Sequence, residues 1–336
     1  MESHMAGILT SERFVGRYGE RLRGALAEAG LEAEVITVPP DPDARLSDEQ
    51  CERIDLAYYS SDLIAGPLAR SFFSALHRAP RLSWLHTRNA GVDHPIFGRM
   101  LARGVTLSTA AGATAEPIAQ SAIAGLLALS RGFPAYADAQ QRHAWEPAED
   151  RGRPDLLDQT LVVFGLGAIG SAIARIARAI GMHVVGVRRS PAREGDPVDE
   201  LHHPDALPSL LPRAEWLALA CPLTAETRGL FDAAAFAAMP RGAHLLNVAR
   251  GPVVDEPALI EALRSGQLGG AYLDVFEEEP LPGDSPLWDL PRVIVTPHNS
   301  GASAGNDPRA AGIFFDNLVR WARGEPLRNV VSEAGE

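Results

Sequence analysis

The sequence predicts an α/β protein with two doubly wound parallel sheets. Short apolar runs alternate with amphipathic helical segments along the chain, and such alternation implies parallel strands joined by crossover helices. The 336 residues suffice for two domains of ordinary size, each with its own core. One apolar run, at residues 161–164, breaks into a glycine-rich turn and continues as a helix with isoleucines at helical spacing.

The N-terminal part of the chain contains the first group of predicted elements. Strands are predicted at residues 7–9, 34–38, 54–59, 82–86 and 105–108, and helices at residues 14–29 and 66–76. The loop Asn89-Ala90-Gly91-Val92-Asp93 follows the fourth strand, and Gly91 allows its backbone N–H groups to point at an anion. The loop is either a substrate-binding loop or a plain β-turn.

A helix and an arm are predicted next. The helix, at residues 117–129, has the Ala and Leu content typical of packing between domains or subunits. The polar, proline-rich residues 134–158 predict an irregular arm or lid.

Residues 113–300 form a predicted dinucleotide-binding unit. Its strands are expected at residues 161–164, 183–187, 216–220, 244–248, 271–273 and 293–295. One helix starts at Asp255 and Pro257 and ends near Gly266. A last helix, at residues 308–323, is expected to return to the first domain.

The glycine-rich turn has the pattern G-x-G-x-x-G. Gly165 permits the tight turn, Gly167 lets the backbone approach a pyrophosphate, and Gly170 lets the helix pack close to the strand. The N–H groups at the start of the helix, around Ala168 and Ile169, can bind phosphate. Because strand, turn and helix follow in this order, the motif predicts a Rossmann unit rather than a merely structural glycine turn.

The end of the second strand of this unit indicates which dinucleotide binds. A carboxylate for the ribose 2′-OH is expected about 20 residues into the unit. Arg188, Arg189 and Ser190 stand there instead, and the first acidic residue is Glu194. Two guanidiniums and a hydroxyl suit a 2′-phosphate, which predicts that NADP(H) is preferred and NAD(H) possible. The alternative is a solvated basic turn.

Composition excludes several function classes. The chain has 31 basic and 43 acidic residues, a net charge of -12, which disfavours nucleic acid and anionic membranes as partners. All the basic residues are Arg, so lysine Schiff-base chemistry and a P-loop lysine are excluded. Cys51 and Cys221 are isolated, which indicates neither a disulfide framework nor a metal site and fits a cytoplasmic protein.

Three residues after strands are candidates for chemistry on a carbonyl. Ligands lie beyond the carboxyl ends of the strands in open α/β sheets, so Arg250, Asp274 and His298 are expected to meet in the crevice beside the glycines. His298 is the candidate proton donor, because imidazole titrates near neutral pH. The alternative is a structural histidine.

Glu279 and Arg250 would complete this chemistry. Glu279 follows two other glutamates, and a carboxylate paired with His298 would favour the protonated imidazole. The alternative for the three glutamates is a solvated loop. Arg250 offers a two-pronged donor for a carboxylate beside the reacting carbonyl, or else it is a surface arginine before a helix.

The motifs together resemble the D-isomer-specific 2-hydroxyacid dehydrogenase family over nearly the whole chain. The motifs are Gly165-Leu166-Gly167-Ala168-Ile169-Gly170, Asn247-Val248-Ala249-Arg250-Gly251, Asp274-Val275-Phe276-Glu277-Glu278-Glu279-Pro280 and Thr296-Pro297-His298. The resemblance implies a Rossmann NAD(P)-binding domain, residues 113–300, inserted into a flavodoxin-like substrate domain formed by residues 1–112 and 301–336. It also implies a homodimer formed through the dinucleotide-binding domain.

The same resemblance implies roles for individual residues. Arg250 would bind and polarise the substrate, Glu279 would be the partner of the histidine, and His298 would be the acid/base. Asp274 would bind the nicotinamide carboxamide. The other residues expected to line the cofactor are Cys221, Pro222, Thr227, Val248 and Ala249. The substrate carboxylate would meet the backbone N–H groups of Asn89, Ala90, Gly91 and Val92.

Two departures from the family pattern bear on function. Gln120 stands where the family usually has Glu, so a local hydrogen bond or charge differs. The Arg188-Arg189-Ser190 segment is similar to that of the NADP-using glyoxylate/hydroxypyruvate reductases. The sequence therefore predicts an NADPH-preferring reductase of small 2-oxo acids to D-2-hydroxy acids, with the particular 2-oxo acid left open. The alternative is a dinucleotide-sensing binding protein, like the co-repressors that share this fold.

Overall fold

A computed structural model describes residues 5–64, 66–89, 92, 94–147, 155–157 and 159–331. The chain divides into two compact units, Met1–Ala113 with Ala304–Glu336 and Thr114–Ser303. Among the described residues, no helix is both long and apolar enough to cross a membrane.

The first unit contains a five-stranded parallel sheet. Its strands are β1 (Ala6–Ser11), β2 (Ala33–Val38), β3 (Ile54–Tyr59), β4 (Trp84–Thr87) and β5 (Thr106–Thr109), in the order β2-β1-β3-β4-β5. Its helices are α1 (Glu12–Ala29), α2 (Asp48–Glu52), α3 (Ser61–Ile64), α4 (Ala69–His77), α5 (Pro95–Leu101) and the last helix of the chain, α12 (Asn306–Ala322). This strand order is that of flavodoxin-like sheets.

Helices α1 and α12 cover the same face of this sheet. Ser11 caps α1 by accepting a hydrogen bond from the N–H of Phe14 at 3.0 Å. Phe14 then packs with Tyr58 of β3 and Phe314 of α12, and the rings of Tyr58 and Phe314 stack with centroids 4.4 Å apart. The last helix therefore completes the core of the unit that begins the chain.

The second unit contains a seven-stranded parallel sheet. Its strands are β6 (Thr160–Phe164), β7 (His183–Val187), β8 (Glu200–His202), β9 (Trp216–Leu219), β10 (Ala243–Asn247), β11 (Leu268–Leu273) and β12 (Val293–Val295), in the order β12-β11-β10-β9-β6-β7-β8. Its helices are α6 (Ala115–Arg131), α7 (Phe133–Gln141), α8 (Ala168–Ala179), α9 (Leu207–Leu210), α10 (Ala233–Ala238) and α11 (Glu256–Arg264). The order reverses between β6 and β9, where ligands bind in such sheets.

Strand β6 is buried on both faces. Leu161 and Val163 pack into the cluster formed with α6 and α8, whereas Val162 and Phe164 pack into the cluster on the opposite face with α10 and α11. A parallel strand covered on both sides reads as a continuous apolar run. The predicted fold class, two doubly wound parallel sheets with a Rossmann unit, is confirmed.

Two local predictions were wrong. Part of the expected irregular arm, residues 134–158, is helical, because Pro134 is tolerated in the first turn of α7 and alanine and glutamine favour the helix that follows. Only Ala139 of α7 is buried, so the sequence shows no apolar stripe there. The predicted helix at 66–76 begins instead at Ala69, after a turn at Gly66. Residues 148–154 and 158 of the predicted arm lie outside the described part.

Strand β8 was not predicted, because it has only three residues, two of them polar, and all three are only half-buried. Glu200 accepts hydrogen bonds from Arg213, from His202 Nε2 at 3.0 Å and from His183 Nε2 at 2.8 Å. The hydrogen bonds from Arg213 and then from the two histidines lower the pKa of Glu200 to about 2. This network joins the edge strand to the rest of the sheet.

We expect Glu200→Gln to lower the free energy of unfolding at pH 7 by about 1 kcal/mol. Because the folded-state pKa is depressed, the stabilisation is complete above the unfolded pKa and is lost as pH falls from about 5 to about 2. Urea unfolding of wild type and variant across this range measures it, with exposed Glu20→Gln as control. A difference that stays constant down to pH 3 would contradict the assignment.

Candidate active site

The glycine-rich turn requires glycine at two of its three positions. Gly165 has φ +99°, and a Cβ there would lie 2.5 Å from the backbone nitrogen of Cys221. A Cβ on Gly170 would lie 2.0 Å from the carbonyl oxygen of Gly165. Gly165 therefore permits the tight turn, and Gly170 permits the close packing of α8 on β6, as the motif predicts.

The third glycine faces open space. Within the described part of the chain, a Cβ on Gly167 would meet no atom within 4 Å, and no side chain caps the N-terminus of α8, which begins at Ala168. An uncapped helix N-terminus with room in front of it is a binding site for phosphate. The turn therefore fits the pyrophosphate of a dinucleotide.

The end of β9 lies directly beside this turn. Cys221 is buried, and burial raises the pKa of its thiol to about 11, so the sulfur stays protonated. Thr227 Oγ1 donates to the carbonyl of Pro222 at 2.8 Å and accepts from the N–H of Thr224 at 2.8 Å. These bonds fix the 221–227 turn, which lies on one side of the glycine-rich turn.

The end of β7 also lies beside the glycine-rich turn. The carbonyl of Val187 accepts hydrogen bonds from the N–H groups of Gly165, at 3.0 Å, and Leu166, at 3.1 Å. The two arginines that follow differ in environment. The Arg188 side chain is 9% exposed and paired with Asp196, whereas the Arg189 side chain is 61% exposed.

Arg250 follows β10 and is exposed. Its Nη1 donates to the carbonyl of Ala249 at 2.7 Å. The next residue, Gly251, packs against the 276–279 loop so closely that a Cβ would lie 1.8 Å from the carbonyl oxygen of Phe276. Only glycine permits this approach, which places Arg250 beside the loop that carries Glu279.

Glu279 and His298 form a hydrogen-bonded pair. Nδ1 of His298 lies 2.7 Å from Oε2 of Glu279, and the other carboxylate oxygen accepts from the N–H of Phe276 at 3.0 Å. Partial burial raises the pKa of Glu279, but the bonds from His298 and Phe276 and the charge of Arg250 outweigh it, so the pKa lies below its usual range. Glu279 is therefore an ionised partner for the imidazole at neutral pH.

Asp274 holds the turn that presents His298. Its buried carboxylate accepts from Thr296 Oγ1 at 2.7 Å, from the N–H of Asn299 at 3.1 Å, and from both the N–H and the hydroxyl of Ser300. The carbonyl of Asp274 also accepts from the N–H of His298 at 2.9 Å. These bonds stabilise His298 in the left-handed region, at φ +49°.

Residues 123–300 match the model of the D-isomer specific 2-hydroxyacid dehydrogenase NAD-binding domain. This chain belongs to that family. A dehydrogenase of this family is an oxidoreductase that uses NAD(P) on a 2-hydroxy acid or the corresponding 2-oxo acid. The glycine turn, the uncapped helix and the pair of Glu279 and His298 are the features of this dehydrogenase that suit such a reaction.

Relatives and solved structures agree with the family assignment. The dehydrogenase is 34% identical over 312 residues to glyoxylate/hydroxypyruvate reductase B of Citrobacter koseri, which covers 89% of this chain and 92% of the relative. It is 33% identical, with a TM-score of 0.73, to a D-isomer specific 2-hydroxyacid dehydrogenase of Xanthobacter autotrophicus Py2 in complex with NADPH and MES, covering 98% of each chain. An NADPH-dependent glyoxylate/hydroxypyruvate reductase of Sinorhizobium meliloti, in complex with NADP and sulfate, is 30% identical with a TM-score of 0.71, covering 98% of this chain and 99% of that one.

The predicted substrate loop of the dehydrogenase is described only in part. Asn89 follows β4, where its N–H donates to Thr87 Oγ1 at 3.2 Å and its carbonyl accepts from the N–H of Ala110 at 3.2 Å. Val92 packs against the core of the first unit. Ala90 and Gly91 lie outside the described residues, and the role of the loop stays a prediction.

Sequence reasoning missed the supports of the site in this dehydrogenase. Thr296 and Ser300 bind Asp274, and Glu256 accepts a hydrogen bond from the N–H of Glu277 at 3.0 Å. A cluster of polar residues after the short strand β12 was the available signal. The hydrogen-bond partners stand 21 to 26 residues apart along the chain, and local patterns do not reveal pairings at such separations.

We expect Asp274→Asn to lower kcat by roughly 10- to 100-fold, because the turn that carries His298, the predicted proton donor, is displaced. The free energy of unfolding should fall by about 1–3 kcal/mol, since an amide cannot accept from all the buried donors. Steady-state kinetics and urea unfolding measure both, with exposed Asp289→Asn as control. An unchanged kcat alongside a raised KM for the dinucleotide would show instead that Asp274 serves the cofactor.

Proposed function

We propose that this dehydrogenase reduces small 2-oxo acids to D-2-hydroxy acids with NADPH. The observation that carries the proposal is the pair of Glu279 and His298 at 2.7 Å, beside Arg250, on loops at the ends of adjacent strands in the Rossmann unit. The dinucleotide, when bound, supplies a hydride to C2 of the substrate. The residues of the chain must then bind the substrate carboxylate and deliver one proton to the oxygen.

His298 is the proposed proton donor. Glu279 holds Nδ1, so the proton transferred to the substrate oxygen leaves from Nε2. In the reverse direction the neutral ring accepts the proton at Nε2. An ionised Glu279 stabilises the imidazolium that reduction needs, and it fixes the plane of the ring.

Arg250 is the proposed carboxylate ligand. Because Nη1 donates to Ala249, the edge formed by Nε and Nη2 is the one that suits a two-pronged bond to a carboxylate. We assign the second set of donors to the backbone N–H groups of residues 89–92. In this assignment the first unit is the substrate domain.

The preference for NADPH rests on the segment after β7. Arg189 and Ser190 place a guanidinium and a hydroxyl where a carboxylate for the ribose 2′-OH would otherwise stand. The Xanthobacter and Sinorhizobium relatives, solved with NADPH and NADP, support the same choice. NAD(H) remains a permitted, weaker cofactor.

We also propose a cytoplasmic homodimer formed through the dinucleotide-binding domain. Leu127 of α6 and Phe133 and Tyr136 of α7 expose 38%, 60% and 38% of their surface. Large apolar side chains grouped on neighbouring helices favour association. A monomeric mass in sedimentation velocity would contradict the dimer.

We expect His298→Ala to lower kcat by roughly 10²–10⁴-fold while the Kd for NADPH changes less than twofold. Glu279→Gln should retain more activity, because the glutamine amide can still accept a hydrogen bond from Nδ1 and hold the ring. Stopped-flow kinetics and fluorescence titration with NADPH measure these effects. Loss of NADPH binding in His298→Ala would refute the assigned role.

NADPH oxidation with a panel of 2-oxo acids tests the reaction itself. Glyoxylate, hydroxypyruvate, pyruvate and bulkier 2-oxo acids form the panel, and chiral chromatography identifies the product. We expect turnover of at least one small member, a D product, and a kcat/KM at least tenfold higher with NADPH than with NADH. An L product, or equal kcat/KM with the two dinucleotides, would refute the corresponding part of the proposal.

A further inference from the structure

The guanidinium of Arg188 donates four of its five N–H groups within its own loop. Nη1 and Nη2 donate to the two oxygens of Asp196, at 2.8 and 2.5 Å. Nε donates to the carbonyl of Ser190 at 3.1 Å, and Nη2 donates to that of Pro191 at 2.6 Å. All three nitrogens are therefore used, and the side chain is only 9% exposed. No edge of this guanidinium is presented to a phosphate.

Asp196 is engaged just as fully. Besides Arg188 it accepts from the N–H of Arg193 at 2.8 Å, and its side chain is 15% exposed. The hydrogen bonds from Arg188 and then from Arg193 hold the pKa of Asp196 below its usual range. The negative charge of Asp196, which could otherwise repel a 2′-phosphate, is thus balanced by an ion pair with Arg188.

The loop is fastened at its start on two sides. The carbonyl of Val187 binds the glycine turn through the N–H of Gly165 at 3.0 Å. The N–H of Arg188 donates to the carbonyl of His202, in β8, at 3.0 Å. Residues 189 and 190 therefore lie between a fixed strand end and the ion pair that closes the loop.

Arg189 has the opposite environment. Its side chain is 61% exposed, and its Nη2 lies 3.6 Å from Oε2 of Glu226. Glu226 itself accepts from Thr224 Oγ1 at 2.6 Å, which belongs to the turn beside Gly165. An exposed guanidinium resting near an exposed carboxylate is an exchangeable pair, because solvent screens it and a doubly charged phosphate competes well.

We propose that Arg188 and Asp196 form a positioning clamp for cofactor discrimination, that Arg189 is the arginine that binds the 2′-phosphate, and that Glu226 competes with the phosphate for Arg189. The proposal rests on the proposed preference for NADPH. The two arginines are then not equivalent, because Arg189 binds the phosphate and Arg188 positions Arg189. Asp196 and Glu226, both acidic, then act on NADPH affinity in opposite directions.

The sign of the Asp196→Asn effect decides the role of Arg188. If the clamp positions Arg189, the loss of the ion pair loosens the loop and weakens NADPH binding by roughly 3- to 10-fold. If Arg188 were itself a phosphate ligand, the same variant would free its guanidinium, remove an anion and tighten NADPH binding. Isothermal titration with NADPH, NADH and adenosine 2′,5′-bisphosphate measures the difference.

The other variants complete the test. Arg189→Gln should weaken NADPH and the bisphosphate by roughly 10- to 100-fold and flatten the salt dependence of their Kd values, with NADH within twofold. Arg188→Gln should match Asp196→Asn, and the double variant should lose no more than either single one. Glu226→Gln should tighten NADPH several-fold. An unchanged Kd for NADH shows in each case that the Rossmann unit is folded.

The outcomes separate the clamp from the cofactor preference. Equal wild-type Kd values for NADPH and NADH, with no binding of the bisphosphate, would overturn the preference and the clamp with it. A wild-type preference together with tighter NADPH binding by Asp196→Asn, or with no loss in Arg189→Gln, would overturn the clamp and leave the preference standing. Additive losses of NADPH affinity in the double variant of Arg188→Gln and Asp196→Asn would also overturn the clamp.

Discussion

The buried carboxylate of Asp274 is the interaction on which the geometry of the site depends. A carboxylate in the interior is stable only when hydrogen bonds satisfy both oxygens, and here the donors come from Thr296, Asn299 and Ser300. That requirement fixes the course of the chain after β12. His298 stands in the middle of this turn with φ +49°, so its position beside Glu279 follows from a buried charge rather than from its own packing.

The dehydrogenase uses carboxylate–cation pairs in two ways, and exposure decides between them. Glu279 and His298 are 36% and 48% exposed, so the imidazole is accessible to a ligand. Asp196 and Arg188 are largely buried, and their pair closes a loop. The same kind of contact is thus open to a ligand where it meets solvent and closes a loop where it does not.

Glycines, which have no Cβ atom, set the spacing of the loops around the crevice. Gly165 brings the turn against the end of β9, Gly170 brings α8 against the turn, and Gly251 brings the Arg250 segment against Phe276. In each case a side chain would collide with backbone atoms, which cannot move aside at a small cost in free energy. The glycines therefore position the glycine-rich turn and Arg250 by one physical means, the close approach of two backbones.

The sequence by itself determined the alternation of strands and helices, the glycine turn and the residues that follow each strand. These depend on local periodicity and backbone freedom, which is why residues 54–59, 183–187 and 293–295 were predicted with their observed bounds. Only the tertiary structure decided that Arg188 is paired and largely buried while Arg189 is exposed, and that Asp274 holds the turn of His298. It also decided that Glu200 bonds the edge strand β8 to its neighbours. Neighbouring residues in a sequence do not indicate which distant partner each side chain contacts, because burial and pairing arise from packing between helices and strands.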